Sequence, residues 1–121
     1  SERALSDNVR FMFMETEICS IIETKAKNGH PLSADETEML LKEANRLFPS
    51  FKLSLFSICT MSAQDFLMCL LIKVSDLSDS RIAVLLGRGR STISKAKSKL
   101  QRRLLGKDCT GEEFDKFLKS L

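Results

Sequence analysis

Between Arg88 and Lys107 the chain carries eight basic side chains (Arg88, Arg90, Lys95, Lys97, Lys99, Arg102, Arg103 and Lys107) and no acid. Ammonium and guanidinium groups at that density, interleaved with the hydroxyls of Ser91, Thr92, Ser94 and Ser98, suit the oxygens of a phosphate polymer. A solvated helix face is the ordinary alternative, but such faces mix signs so that i,i+4 pairs can form. The missing acids therefore point to a nucleic acid. Other chemistry finds little support. His30 is the single histidine, and Cys19, Cys59, Cys69 and Cys109 form no Cys-x-x-Cys pair, so no zinc site or Cys–His nucleophile is expected. Gly87-Arg88-Gly89 lacks both the Lys-Ser/Thr of a phosphate loop and a preceding strand. Glu15/Glu17 and Glu112/Glu113 read as exposed or capping carboxylates. The expectation is no catalytic residue, no metal and no cofactor.

The elements that position the basic stretch are expected to be helices. Among 121 residues there are 43% hydrophobic and 29% charged, with eight aromatics, all Phe, and two prolines. So few turn-formers and β-favouring residues disfavour a sandwich or barrel and predict an all-α fold. The longest apolar run, Phe66–Ile72, is far short of the roughly 20 residues that span a bilayer. No secretory signal is visible, and cysteines set singly in apolar stretches, Cys19 and Cys69 above all, read as reduced buried thiols. Both features suggest a cytoplasmic location. The first residue is Ser1 rather than Met, and the expectation is a piece of a longer protein, whose other parts can include a membrane anchor.

Charge divides the chain: residues 1–60 carry a net −2 and residues 61–121 a net +5. In the first part, Val9, Phe11, Met14, Ile18, Ile22 and Ala26 predict one amphipathic helix from about Leu5 to Lys27. The consecutive Phe11, Met12, Phe13 and Met14 suggest that it packs on two neighbours. Asn28-Gly29-His30-Pro31 ends it, and Ser33-Ala34-Asp35-Glu36 reads as a capping box opening a helix with Met39, Leu40, Ala44 and Leu47 inward. A short helix from Ser50 to Ile58 is expected to bury Phe51, Leu55 and Ile58. In the second part, Ser62 caps a nearly all-apolar helix from Ala63 to Val74, Ser78 caps Asp79–Leu86, a basic helix runs from Arg90 to about Leu105, and Thr110 caps a last helix with Phe114, Phe117, Leu118 and Leu121 on one side.

Asp79–Ser98 carries the most specific pattern: a short helix, a Gly turn, then a longer helix. Ala83 is small where two steeply crossed helices approach, Gly87 supplies a positive φ for the turn, and Ile93 plugs the second helix into the core, with Ile82, Leu86 and Ala96 filling the other inward positions. At about 100° per residue, Leu100 and Leu104 fall within roughly 20° of Ile93, while Ser91, Lys95, Ser98 and Arg102 fall on the opposite side and Ser94 on the flank. Lys97 lies about 40° from the seam, too close to it to read bases. Such a helix fits the major groove of duplex DNA.

Met61–Gly106 resembles the LuxR-type (GerE-like) helix-turn-helix domain. Met61-Ser62-Ala63-Gln64-Asp65 stands at its opening Leu-Thr-x-x-Glu, Leu77-Ser78-Asp79-Ser80-Arg81-Ile82-Ala83 at its Phe/Leu-Ser-x-x-Glu-Ile-Ala, and Leu86-Gly87-Arg88-Gly89-Arg90-Ser91-Thr92-Ile93-Ser94 at its Leu-Gly-Ile-Ser-x-Ser-Thr-Val-Ser. The chain departs from the pattern at Arg81, Arg88 and Gly89, where Glu, an aliphatic residue and a capping Ser are usual. With its flanks, it resembles the C-terminal region of large bacterial sensory transcription regulators carrying tetratricopeptide repeats. The resemblance implies a tetrahelical helix-turn-helix at 61–106, a preceding helical segment at 1–60 that dimerises or links, and a C-terminal helix at 107–121 packed on the domain. It further implies that Ser94, Lys95 and Ser98 meet base edges of double-stranded DNA, and that Arg90, Ser91, Thr92, Lys99 and Arg102 hold its backbone. For Arg103 an intramolecular carboxylate is as good an expectation as a phosphate. Two further readings stay open: an interaction module in which helices at 5–27 and 111–121 form a homodimer or dock, and a sigma-factor-like promoter reader in contact with RNA polymerase.

Overall fold

Local capping chemistry accounts for where most of the helices begin. The structure is a computed structural model that describes residues 2–106 and 109–121, with side chains from Asn8 onward. The described residues form eight helices and no strand: α1 (Glu2–Met14), α2 (Glu17–Asn28), α3 (Ala34–Leu47), α4 (Phe51–Ile58), α5 (Ala63–Val74), α6 (Asp79–Leu86), α7 (Arg90–Leu105) and α8 (Gly111–Ser120). Ser33, Ser62, Ser78 and Thr110 have extended backbone angles, and each hydroxyl accepts the N–H three residues on. At Ser33 the box is complete, because the Glu36 carboxylate accepts the Ser33 N–H at 2.8 Å. None of the helices is long and apolar enough to cross a membrane.

The stretch expected as one helix from Leu5 to Lys27 is two. Thr16 breaks it: its hydroxyl donates to the Phe13 carbonyl at 2.6 Å, closing α1, and accepts the Cys19 N–H at 3.3 Å, opening α2. The break resets the helical phase. Helix α1 packs on two neighbours, α2 and α3, as expected, but of the quartet only Phe13 is buried, 6.4 Å from the Phe48 ring, while Phe11, Met12 and Met14 are exposed. Ile58 is likewise exposed rather than buried, because α4 ends on it and the chain turns away at Cys59. Leu85, not Leu86, is the buried partner of Ile82 and Ala83, while Leu86 is half-buried. The α2 helix and the loop after it cover that side of α6, and the Leu32 N–H donates to the Leu85 carbonyl at 2.9 Å.

Helix α5 is the axis of the fold. Met68, Cys69, Leu70 and Leu71 have no solvent exposure, and α6 and α8 pack against it. Buried side chains from Phe13 to Leu118 belong to one continuous core that includes both the acidic and the basic part of the chain. All four cysteines are free; burial first, then Asp65 and Cys59, pushes the Cys69 thiol up to about 12, so it is an inert apolar filler. Helix α5 ends without a glycine, and Lys119 of α8 supplies its cap by donating to the carbonyls of Ile72 and, at 2.8 Å, Ser75.

Lys73 is the unexpected tenant of α5. It is 5% exposed, donates to the Lys119 carbonyl at 3.2 Å, and sits 5.0 and 5.1 Å from the centroids of Phe48 and Phe51. Burial, aided by the charges of Arg10 and Lys119, pushes its pKa down to about 8 from the ordinary 10.5. Below pH 8 folded and unfolded chains both carry the charge, and the folded state bears the cost of burying it. Between about 8 and 10.5 the unfolded chain binds the extra proton, so the stability contribution of this group rises with pH. Lys73→Met is therefore expected to stabilise the protein by about 2 kcal/mol at pH 7, with the gain shrinking toward pH 10.5. Urea unfolding of both proteins at pH 7, 8.5 and 10 checks this, and a pH-independent difference would refute it.

Candidate nucleic-acid interface

The site is built from the turn between α6 and α7. Gly87 takes φ 64°, the left-handed conformation that a side chain would strain. Its N–H reaches the Val84 carbonyl at 3.0 Å and the Arg88 N–H reaches that of Ala83 at 2.9 Å, so the end of α6 is closed within the turn. Helix α7 starts at once from Gly89, which has no side chain to cap its first N–H groups. Helix α7 packs back onto α6, where Ala83 is buried.

One side of α7 is anchored. Ile93, Leu100 and Leu104 are buried and Ala96 is half-buried, the seam that the helical spacing predicts. The other side is open: Arg90, Ser91, Thr92, Ser94, Lys95, Ser98, Lys99 and Arg102 are all exposed. Every side chain expected to meet DNA is therefore on the surface, and the helix carries no acid to neutralise that surface locally.

Three of the eight basic residues make intramolecular contacts instead of standing free on this open face. Lys97 is 6% exposed and forms ion pairs with Asp79 at 3.0 Å and Asp115 at 2.9 Å, tying α7 to the start of α6 and to α8. Burial by itself would lower its pKa, but contacts with Asp115 and Asp79 outweigh that and hold the ammonium above its ordinary value. Arg88 is half-buried in the turn and lies 3.8 Å from Asp65 of α5. Arg103 donates to the Thr60 carbonyl at 3.0 Å, an intramolecular contact, though with backbone rather than a carboxylate. Lys107 lies outside the described residues. Arg90, Lys95, Lys99 and Arg102 have no ion-pair partner among the described residues and make up the net charge of the face.

Sequence reasoning sets Lys97 aside from base reading and does not foresee its burial between two carboxylates. A lysine within about 40° of an apolar seam was itself the signal, because it must either be solvated or find carboxylates. The same signal, a lone lysine near the end of an apolar helix, marked Lys73. Chemically, the site offers hydroxyl and cationic donors on a rigid rod and no nucleophile–base pair. Among the described residues no group of three or more His, Cys, Asp or Glu side chains could hold a metal ion. Comparison of the chain with protein-family models, curated proteins and solved structures finds no match.

Proposed function

We propose that the chain is a sequence-specific DNA-binding domain of a bacterial transcription regulator, with residues 61–106, which hold three helices (α5, α6 and α7) where four were expected, as a LuxR-type helix-turn-helix, α8 packed on α5, and α7 as the helix that enters the major groove. In this reading Ser94, Lys95 and Ser98 face base edges, where short hydroxyls and a long cation can meet acceptors of different depth. Arg90, Ser91, Thr92, Lys99 and Arg102 hold phosphates and fix the register. The uncapped first turn of α7 adds N–H donors to the same surface. One observation carries the reading: opposite a buried Ile93–Leu100–Leu104 seam, α7 presents four cations without ion-pair partners among the described residues, and no acid.

The internal use of Arg88, Lys97 and Arg103 sharpens the expected salt dependence. With four cations available, the slope of log affinity against log salt should be about −3 to −4 per domain, the shallow end of the roughly −3 to −6 that the basic stretch alone suggests. Selection of bound duplexes from random DNA at two salt concentrations tests the proposal. A shared sequence motif retained at the higher salt is the expected result. Recovery of unselected DNA at low salt and none at high salt would reduce the face to plain phosphate attraction and overturn sequence-specific reading.

A further inference from the structure

Five of the eight residues of helix α4 are large and apolar, more than its buried side can take in. Phe51 and Leu55 are indeed buried, but Leu53 is 76% exposed and Ile58 47%. Beside it, between α3, α4 and the start of α5, runs a groove of about 640 Å³ whose walls include Leu41, Phe48, Phe56, Met61, Phe66 and Leu67. That volume suits a few large apolar side chains. Its charged lining is Lys42, Lys52 and one acid, Glu38. Neither lysine has an ion-pair partner among the described residues, and Lys52 is held at the mouth over the rings of Phe56 and Phe66, at 5.6 and 5.5 Å.

The complementary element lies on the same chain. Phe11 and Met14 of α1 are 60% and 64% exposed, and the exposed acids Glu15 and Glu17 follow directly. Phe11 and Met14 are spaced i, i+3 on α1, and Glu15 follows in the turn that closes the helix. In its own chain α1 is pinned through Phe13 against Phe48, which leaves Phe11 and Met14 in solvent. We propose that the groove between α3 and α4 receives the Phe11–Glu17 segment of a second copy of this chain, reciprocally, with Phe11 and Met14 on the apolar floor and Glu15 and Glu17 meeting Lys42 and Lys52. A two-fold arrangement makes this contact twice and satisfies both unpartnered surfaces at once.

Sedimentation velocity of the full chain without DNA, at low salt, tests the pairing independently of DNA binding. The wild-type chain should form a dimer, and Phe11→Ser with Met14→Ser should weaken it at least about 30-fold, as loss of a buried apolar anchor does. Both side chains are exposed, so an unchanged thermal melt confirms that the variant is folded. The decisive pair reverses charge on one side at a time: one variant is Glu15→Lys with Glu17→Lys, the other Lys42→Glu with Lys52→Glu. Each alone places like charges together at both contacts and should be monomeric. Mixed, the two variants oppose unlike charges at both contacts and should form a heterodimer. A wild-type chain that stays monomeric, variants that dimerise as well as wild type, or a mixture that fails to pair would each overturn the proposal.

Discussion

Lys95→Glu is expected to weaken DNA binding by about 100-fold or more while leaving the melting temperature almost unchanged. Lys95 is exposed at the centre of the open face of α7 and makes no ion pair that the substitution could break. A surface change of that kind typically stays within about 0.5 kcal/mol of wild-type stability. At a duplex, by contrast, it removes a contact of about 1–3 kcal/mol and places a carboxylate among phosphates and base acceptors. Arg102→Ala supplies the comparison: it should cost less and act evenly across sequences, lowering the salt slope by about 0.9. Fluorescence anisotropy with a selected duplex and an unrelated one, at three salt concentrations, distinguishes the two roles. Undiminished binding by Lys95→Glu would remove α7 from the interface.

Lys97→Met is expected to do the reverse, lowering stability by about 1–2 kcal/mol, with solvent screening the half-exposed carboxylates, and the melting temperature by roughly 5 °C. The side chain is nearly the same length and the new residue is apolar, so lost packing contributes little. What is lost is the cation between Asp79 and Asp115, which leaves two carboxylates facing each other across α6 and α8. Removing one partner of a partly buried charge cluster costs more than removing the cluster, though solvent at the two carboxylates reduces the difference. Lys97→Met combined with Asp79→Asn and Asp115→Asn should therefore recover much of the loss. Below its transition the single variant should bind DNA within about threefold of wild type, because Lys97 points into the protein. Differential scanning calorimetry and anisotropy at 10 °C check both halves. An unchanged melt with a large loss of affinity would make Lys97 a phosphate ligand and contradict its burial.

The two variants separate what a basic residue does by where it points. Lys95 and Lys97 are two residues apart, so they are turned by about 200° on the helix. One has solvent and, in the proposed function, DNA before it; the other has two aspartates. Counting basic residues along the chain merges these roles, and three of the eight, Arg88, Lys97 and Arg103, make contacts within the protein.

Much of this architecture is set by interactions within a few residues, and those were legible in the one-dimensional chain. The Ser33, Ser62, Ser78 and Thr110 caps, the positive φ at Gly87, and the Ile93–Leu100–Leu104 seam depend on hydrogen bonds and periodicities three to seven residues long. The break at Thr16 was equally local. It was missed because apolar positions continue on both sides of the break and conceal the cap. The other choices belong to tertiary structure alone. Leu85 and Leu86 straddle the inward direction of α6, and only the approach of α2 and the Leu32–Leu85 hydrogen bond selects between them. Lys97 meets Asp79 across 18 residues, Arg103 meets Thr60 across 43, and Lys73 meets Lys119 across 46. A buried or half-buried polar group must be matched, but the chain's local pattern states only the need; the partner is named by whichever helix the fold brings within reach.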